Sequence, residues 1–247
     1  MTPALFLVPD LGCGDRLTLA GPEAHHAATV KRLAVGELVL LSDGRGGLAE
    51  ARAVQVGRAE VLFEVLGRRL LPAPDPRFVV VQALPKGERA DLAVEVLTEL
   101  GVDEIVPWSA SRSIAQWKAD RAAKGLARWT RTALEASKQA RRPWIPVVAD
   151  LAGTAEVCAR AAAADLALVL HEDGDGPLAG RPLPAAGEVL VIVGPEGGVS
   201  GAELAAFAAA GARPVRLGPE VLRTSTAGAA ALAVLSAQAG RWAATVG

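Results

Sequence analysis

Cysteine and histidine are scarce in this chain of 247 residues, and their scarcity closes off several chemistries. The two cysteines, Cys13 and Cys158, are too few for a disulfide framework and too far apart for a metal motif. With three histidines in all, a His-based zinc centre is not expected, and no metal is assigned. No apolar run reaches membrane-spanning length, and the start MTPALFLVPD has neither a basic leader nor a small-residue cleavage site. A cytoplasmic protein with no membrane partner is the expectation. What is present suits a soluble globular protein of one large or two modest domains: 51% hydrophobic residues against 21% charged.

The net charge of −1 hides an asymmetry. Residues 109–146 hold nine Lys/Arg against two acids, and residues 150–210 hold nine acids against two Arg. A basic block inside a neutral chain points to a polyanion partner on one face, against the commoner case of a solvated helix face.

The chain is organised around residues 189–226. Val189 to Val193 form an apolar run of strand length, expected to be buried on both faces. Gly194-Pro195-Glu196-Gly197-Gly198 breaks it, and Ser200 with Glu203 forms a capping box. A helix is predicted from there, with Leu204 and Phe207 on its buried face and Gly211 as its stop. A second short run, 214–217, ends at Gly218, and the hydroxyls of Thr224, Ser225 and Thr226 are expected to cap a last Ala-rich helix. Both glycine-marked loops follow strands, on the side where open parallel sheets bind ligands. The first is not G-x-G-x-x-G, and no G-x-x-x-x-G-K-[ST] occurs anywhere. On periodicity alone, a plain strand-to-helix turn is as good a reading as a binding loop.

Earlier in the chain, residues 22–32 read as a short helix and 37–42, 48–56 and 60–66 as strands separated by tight turns, which suggests a small β-barrel. Three prolines in 70–77 mark a linker, giving domains of 1–72 and 73–247. From Phe78 strand and helix alternate, as in a mostly parallel sheet covered on both faces. One helix places Leu92, Val96 and Leu100 four residues apart and stops at Gly101. A long helical region over 117–140, with a break near Gly125, precedes strands at 145–148 and 166–170.

GPEGG with S-x-x-E, then LGPEVLRT-x-TA, closely resembles the knotted (SPOUT-class) methyltransferases, and within them the family that methylates N3 of a uridine in 16S ribosomal RNA. H-H-x-x-x-V-K-R-L-x-x-G-E and D-G-x-G-G resemble that family's N-terminal PUA-like domain, so the likeness covers essentially the whole chain. Two departures stand out: Ser225 replaces the usual Glu of R-T-E-T-A, and no Arg occurs among the first residues. The implied fold is α/β: an N-terminal PUA-like β-barrel that binds RNA, then a mostly parallel SPOUT domain with a C-terminal trefoil knot. The implied cofactor is S-adenosyl-L-methionine, held by Leu170, His171, Gly194, Glu196, Gly197, Gly198, Leu217, Gly218, Val221, Leu222 and Thr224.

Deprotonated uridine N3 spreads its charge onto two carbonyl oxygens, which a guanidinium would stabilise. Arg223 is the first candidate and Arg112 the second, with Glu196 as a hydrogen-bond acceptor. An ion pair that merely holds the loop competes for each arginine, and for Arg112 it is the stronger reading; Glu196, which precedes Ser200, serves equally well as electrostatic support for the helix N-terminus. For His171 an exposed loop histidine is the stronger one, and no general base is assigned. The partner implied is 16S rRNA or the small ribosomal subunit, touched through His26, Arg32, Lys86, Arg128, Arg131, Lys138, Arg141 and Arg142. Arg128, Arg131, Lys138 and Arg142 are spaced as one side of a helix, while His26 serves equally well as an ordinary surface residue. Small residues in 227–240 suggest a homodimer through the C-terminal domain. Two alternatives stay open: a knotted methyltransferase for another RNA site, and a silent RNA-binding or ribosome-assembly module on the same fold.

Overall fold

A computed structural model describes residues 3–117 and 120–243, which divide into two compact units. The first holds residues 3–73 and 137–145. It contains β1 (Ala4–Leu7), β2 (Arg16–Ala20), α1 (Gly21–His25), a π-helical turn His26–Val30, then β3 (Leu38–Ser42), β4 (Gly47–Val56) and β5 (Glu60–Leu70). Along β4, Ala49, Ala51 and Ala53 face the core while Glu50, Arg52 and Val54 face out, the two-residue period of a half-buried strand. The strands order as β1-β3-β4-β5-β2, packed over Phe6, Leu41, Val61 and Phe63.

This corrects the expected barrel: the sheet is open, a curled half-barrel whose edges are β1 and β2. The helix expected over 22–32 ends at Val30, because Arg32 turns to φ 54°. Residues 137–145 group with this unit rather than with their sequence neighbours, a departure from the division at 72/73. Trp144 Nε1 donates to the Leu71 and Pro72 carbonyls at 3.2 and 3.1 Å, and Ile145 N–H to Gly44 O at 3.1 Å.

The second unit holds residues 74–136 and 146–243. Its elements are β6 (Arg77–Ala83), α2 (Arg89–Glu99), β7 (Glu104–Trp108), α3 (Asp120–Gln139), β8 (Val147–Val148), α4 (Thr154–Ala163), β9 (Leu166–Leu170), β10 (Glu188–Val193), α5 (Gly201–Ala209), β11 (Arg213–Val215) and α6 (Thr224–Gln238). The last residues of α3, from Ser137 on, belong to the first unit. All six strands run parallel in the order β11-β9-β10-β6-β7-β8. Central β6 and β10 are apolar throughout their middles because both faces are covered. Phe78, Val80 and Val191 meet Val94, Trp129 and Leu232 on one side; Val79, Val81 and Ile192 meet Val157 and Phe207 on the other.

Three helical expectations need correction. The buried face of α2 carries Ala93, Val94, Leu97 and Thr98, while Leu92 is 43% exposed. The reason is α6: its Gly228 leaves room for Leu97, whose Cδ2 would lie 3.0 Å from a Cβ at that position. Nor does α3 break at Gly125. The Trp117 indole lies over that residue, where an added Cβ would meet it at 2.4 Å, and stacks edge-on against Trp129 at 5.1 Å. Finally, no hydroxyl caps α6: Arg223 is its N-cap residue, and Thr226 Oγ1 donates back to the Arg223 carbonyl. Among the described residues, no helix is long and apolar enough to cross a membrane.

Candidate active site

The sheet order sets the C-terminal ends of β6, β9, β10 and β11 side by side. The loops leaving them enclose a cleft of about 630 Å³ within the second unit, lined by Leu170, His171, 194–199 and 215–224 with Arg89. After β10, Gly198 N–H closes a turn onto Pro195 O at 2.9 Å, and Gly198 holds φ 72°, which a side chain would resist. Ser200 then caps α5 through the expected capping box. After β11, the Arg223 carbonyl accepts from Thr226 and Ala227 N–H, both at 2.9 Å. Buried Gln82 donates to Thr224 O at 3.2 Å and so ties the start of α6 to β6.

Every residue proposed from sequence for the cofactor lines this cleft. His171 is not an exposed loop histidine: its N–H donates to Val215 O at 3.0 Å, its Nδ1 accepts from Asp173 N–H at 3.1 Å, and it is half-buried. Glu196 lines the cleft while its Oε1 accepts from the Lys86 backbone N–H at 3.1 Å, joining the loops after β10 and β6.

Arg223 lines the cleft and is exposed, with no acidic partner among the described residues. Arg112 departs from the reading favoured for it. No ion pair holds it among the described residues; its Nη1 donates at 3.3 Å to the carbonyl of Gly197, which lines the cleft, while Arg112 itself is outside the lining. Sequence reasoning missed Arg89, Glu172, Arg216 and Glu220 in the lining. Arg89 was within reach of it, since it opens the helix just after a central strand's C-terminal end.

The stripe expected along α3 is not there. The helix ends at Gln139, so Arg142 lies beyond it, with its N–H on Ser137 O and Arg141 at φ 55°. Arg128 pairs with Asp91, and Lys138, whose side chain is 9% exposed, pairs with Glu23 at 3.0 Å. Arg131 remains exposed on α3. Lys86 is exposed after β6; Arg32 is exposed and His26 half-buried in the first unit. No group of three His, Cys, Asp or Glu among the described residues could hold a metal ion.

Burial opposes ionisation of Glu203, but hydrogen bonds from Ser200 and Ser111 outweigh it and hold the carboxyl below its ordinary 4.5. A folded-state pKa below the unfolded one contributes stability that is complete above the unfolded value and lost as pH falls through the folded one. Glu203→Gln is therefore expected to flatten the loss of melting temperature below about pH 4.5, read by acid-range thermal melts.

Residues 73–236 match the family model of an RNA methyltransferase domain, and residues 19–66 that of an RNA methyltransferase PUA domain. The ribosomal RNA small subunit methyltransferase E of Mycobacterium bovis is 42% identical over 98% of this chain and 94% of its own. The chain belongs to the ribosomal RNA small subunit methyltransferase E family. The family's member from Neisseria gonorrhoeae, solved bound to S-adenosyl methionine, superposes with a TM-score of 0.83 at 27% identity over 96% of this chain and 98% of its own. A putative methyltransferase from Legionella pneumophila, solved with bound cofactor SAM, gives 0.83 at 28% identity with the same coverage.

Proposed function

We propose that this chain transfers a methyl group from S-adenosylmethionine to N3 of a uridine in 16S ribosomal RNA. The observation that carries the reading is the union of three loops, after β9, β10 and β11, around one cleft that also holds Arg223, which has no acidic partner among the described residues. The cleft fits the donor: its volume is that of a small-molecule site, with Leu170, Leu217, Val221 and Leu222 as apolar walls beside turns that expose backbone groups. When bound, the donor supplies the methyl group on a sulfonium. The chain's residues do the rest. The turn at 194–198 and the loop at 217–223 fix the donor's place, and Arg223 stabilises the negative charge that develops on the uracil ring as N3 loses its proton.

In this reading residues 1–72 bind RNA and residues 73–247 carry out the chemistry, in the cytoplasm. A trefoil knot is supported by the segment after β9, which runs along β11: Leu178 N–H donates to Arg216 O at 2.8 Å and Arg216 N–H to Gly176 O at 2.9 Å. A homodimer is supported by Val221, 81% exposed, and Leu222, 41% exposed, at the cleft. The small residues of α6 support it less, since Gly228 and Ala231 are spent against α2 and the sheet. Ser225 gives no support to a silent module, because it is buried and does not line the cleft.

The test is mass mapping of 16S rRNA from a strain lacking the protein, together with calorimetric titration of the donor. One methyl group lost from a uridine N3, and donor binding, are expected; an unchanged methylation map sinks the reading. For RNA contact, Arg131→Ala is expected to reduce the salt slope of binding by about one. Lys138→Ala is expected to leave the slope alone and lower the melting temperature, because that ammonium already faces Glu23. Filter binding across a salt series, beside thermal melts, separates the two.

A further inference from the structure

The carboxylate of Glu203 has more donors than a helix cap uses. It is 5% exposed, and Oε2 accepts from Ser200 N–H at 3.0 Å and from Ser200 Oγ at 2.6 Å, which completes the cap on α5. Oε1 serves elsewhere. It accepts from the Ser111 backbone N–H at 2.7 Å and from Thr154 Oγ1 at 3.4 Å. Ser111 immediately precedes Arg112, and Arg112 packs against Gly197, which lines the cleft. Its guanidinium donates to Gly197 O, and its Cβ and carbonyl oxygen would come within 3.1 and 3.2 Å of a Cβ at Gly197. One buried carboxylate thus holds the loop after β7, the start of α4 and the helix that follows the 194–198 turn. An ionised carboxylate accepts at both oxygens, so both attachments hold at once.

We propose that Glu203 is a positioning residue for methyl transfer, which through Ser111 fixes the Arg112 loop against Gly197 at the cleft. The inference rests on reading the cleft as a methyl-transfer site. Glutamine cannot serve both duties of the carboxylate at once. Its amide has one acceptor oxygen, so either the Ser111 or the Ser200 N–H is left facing an NH₂ group. A shift of about 1 Å in a group that sets the reacting geometry lowers rate by as much as 10²-fold.

The experiment is single-turnover methylation of 16S rRNA by the full chain, beside donor titration and thermal melts. The proteins compared are the parent, Glu203→Gln, Arg112→Ala, the double variant and Ser200→Ala. Glu203→Gln is expected to slow transfer about 10- to 100-fold with donor affinity within about threefold, and to add nothing on the Arg112→Ala background. Ser200→Ala removes the side-chain cap, and with it the Ser111 Oγ contact to Ser200 Oγ, but keeps the Ser111 N–H on Glu203 Oε1, so it should lower the melting temperature comparably with rate within about threefold of the parent. Should Glu203→Gln fail to fold, Ser111→Pro removes the donated N–H, and with it the Ser111 Oγ donation to Ser200 Oγ at 3.3 Å, while keeping the Ser200–Glu203 capping box of α5, and the same losses are expected. A parent-like rate in folded Glu203→Gln, in Ser111→Pro or in Arg112→Ala overturns the proposal. So does a Glu203→Gln loss that multiplies in full on Arg112→Ala. An inactive parent overturns the methyl-transfer reading, and this inference with it.

Discussion

Arg223→Ala is expected to slow single-turnover methyl transfer by about 10²–10³-fold while leaving donor affinity within a few-fold. Arg223 is the N-cap residue of α6 at φ −73° and ψ 151°, its carbonyl is taken by Thr226 and Ala227, and Thr224 O by Gln82. The main chain is thereby fixed while the guanidinium, without an acidic partner among the described residues, lines the cleft. A cation held this way is not consumed by a loop contact, so its interaction energy is available to charge that appears only in the transition state. Arg223→Lys should recover part of the rate, since an ammonium supplies charge without the planar fork that would span N3 and a carbonyl oxygen. A parent-like rate in the alanine variant removes Arg223 from the chemistry. A rate loss matched by an equal loss of donor affinity makes it a loop residue instead.

Much of the second unit was legible in sequence because its signals are local. The unbroken apolar run of β10, the Ser200–Glu203 box and the left-handed Gly211 after α5 each need only neighbouring residues, and the structure has all three. The places where sequence reasoning failed are decided by contacts distant in the chain. Leu97 rather than Leu92 and Val96 carries the buried face of α2 because Gly228 lies opposite, over a hundred residues on. Gly125 reads as a breaker, but Trp117 from outside the helix covers it. Lys138 has the spacing of a phosphate track, and only the fold of residues 137–145 into the first unit shows it facing Glu23.

The candidate site follows the same division. Its glycine loops could be found in sequence because turns need particular residues in a row. The tethering of Arg112 could not, because Ser111 N–H and the Glu203 carboxylate stand 92 residues apart. Arg216 was hidden for another reason: it sits one residue before the loop motif, at the edge strand β11, where period-two reasoning has only three residues to work with.

Arg241→Ala is expected to lower the melting temperature by about 6–12 °C, corresponding to about 3 kcal/mol. After α6 the chain turns at Gly240, whose φ of 70° places Arg241 N–H on Ser236 O at 3.0 Å, a left-handed helix stop. The side chain then folds back under the sheet. Its guanidinium donates to Gly101 O at 2.9 Å, to Asp103 at 2.7 Å and to Pro76 O, and its central carbon stands 3.7 Å above the Phe78 ring. The Arg241 and Asp103 side chains are 15% and 9% exposed, so alanine would break a nearly buried ion pair and remove the guanidinium's contacts to two carbonyls, while the Phe78 N–H still reaches the carboxylate at 2.7 Å. These contacts lie at the start of β6, and the cleft lies past its other end. Donor affinity measured well below the transition should therefore match the parent, while Arg241→Lys should regain part of the lost stability through charge alone. A fall under about 2 °C in the alanine variant would show that α6 is held by its packing on α2 and the sheet without this latch. An equal loss of donor affinity would show that strain at the start of β6 reaches the cleft through the strand itself.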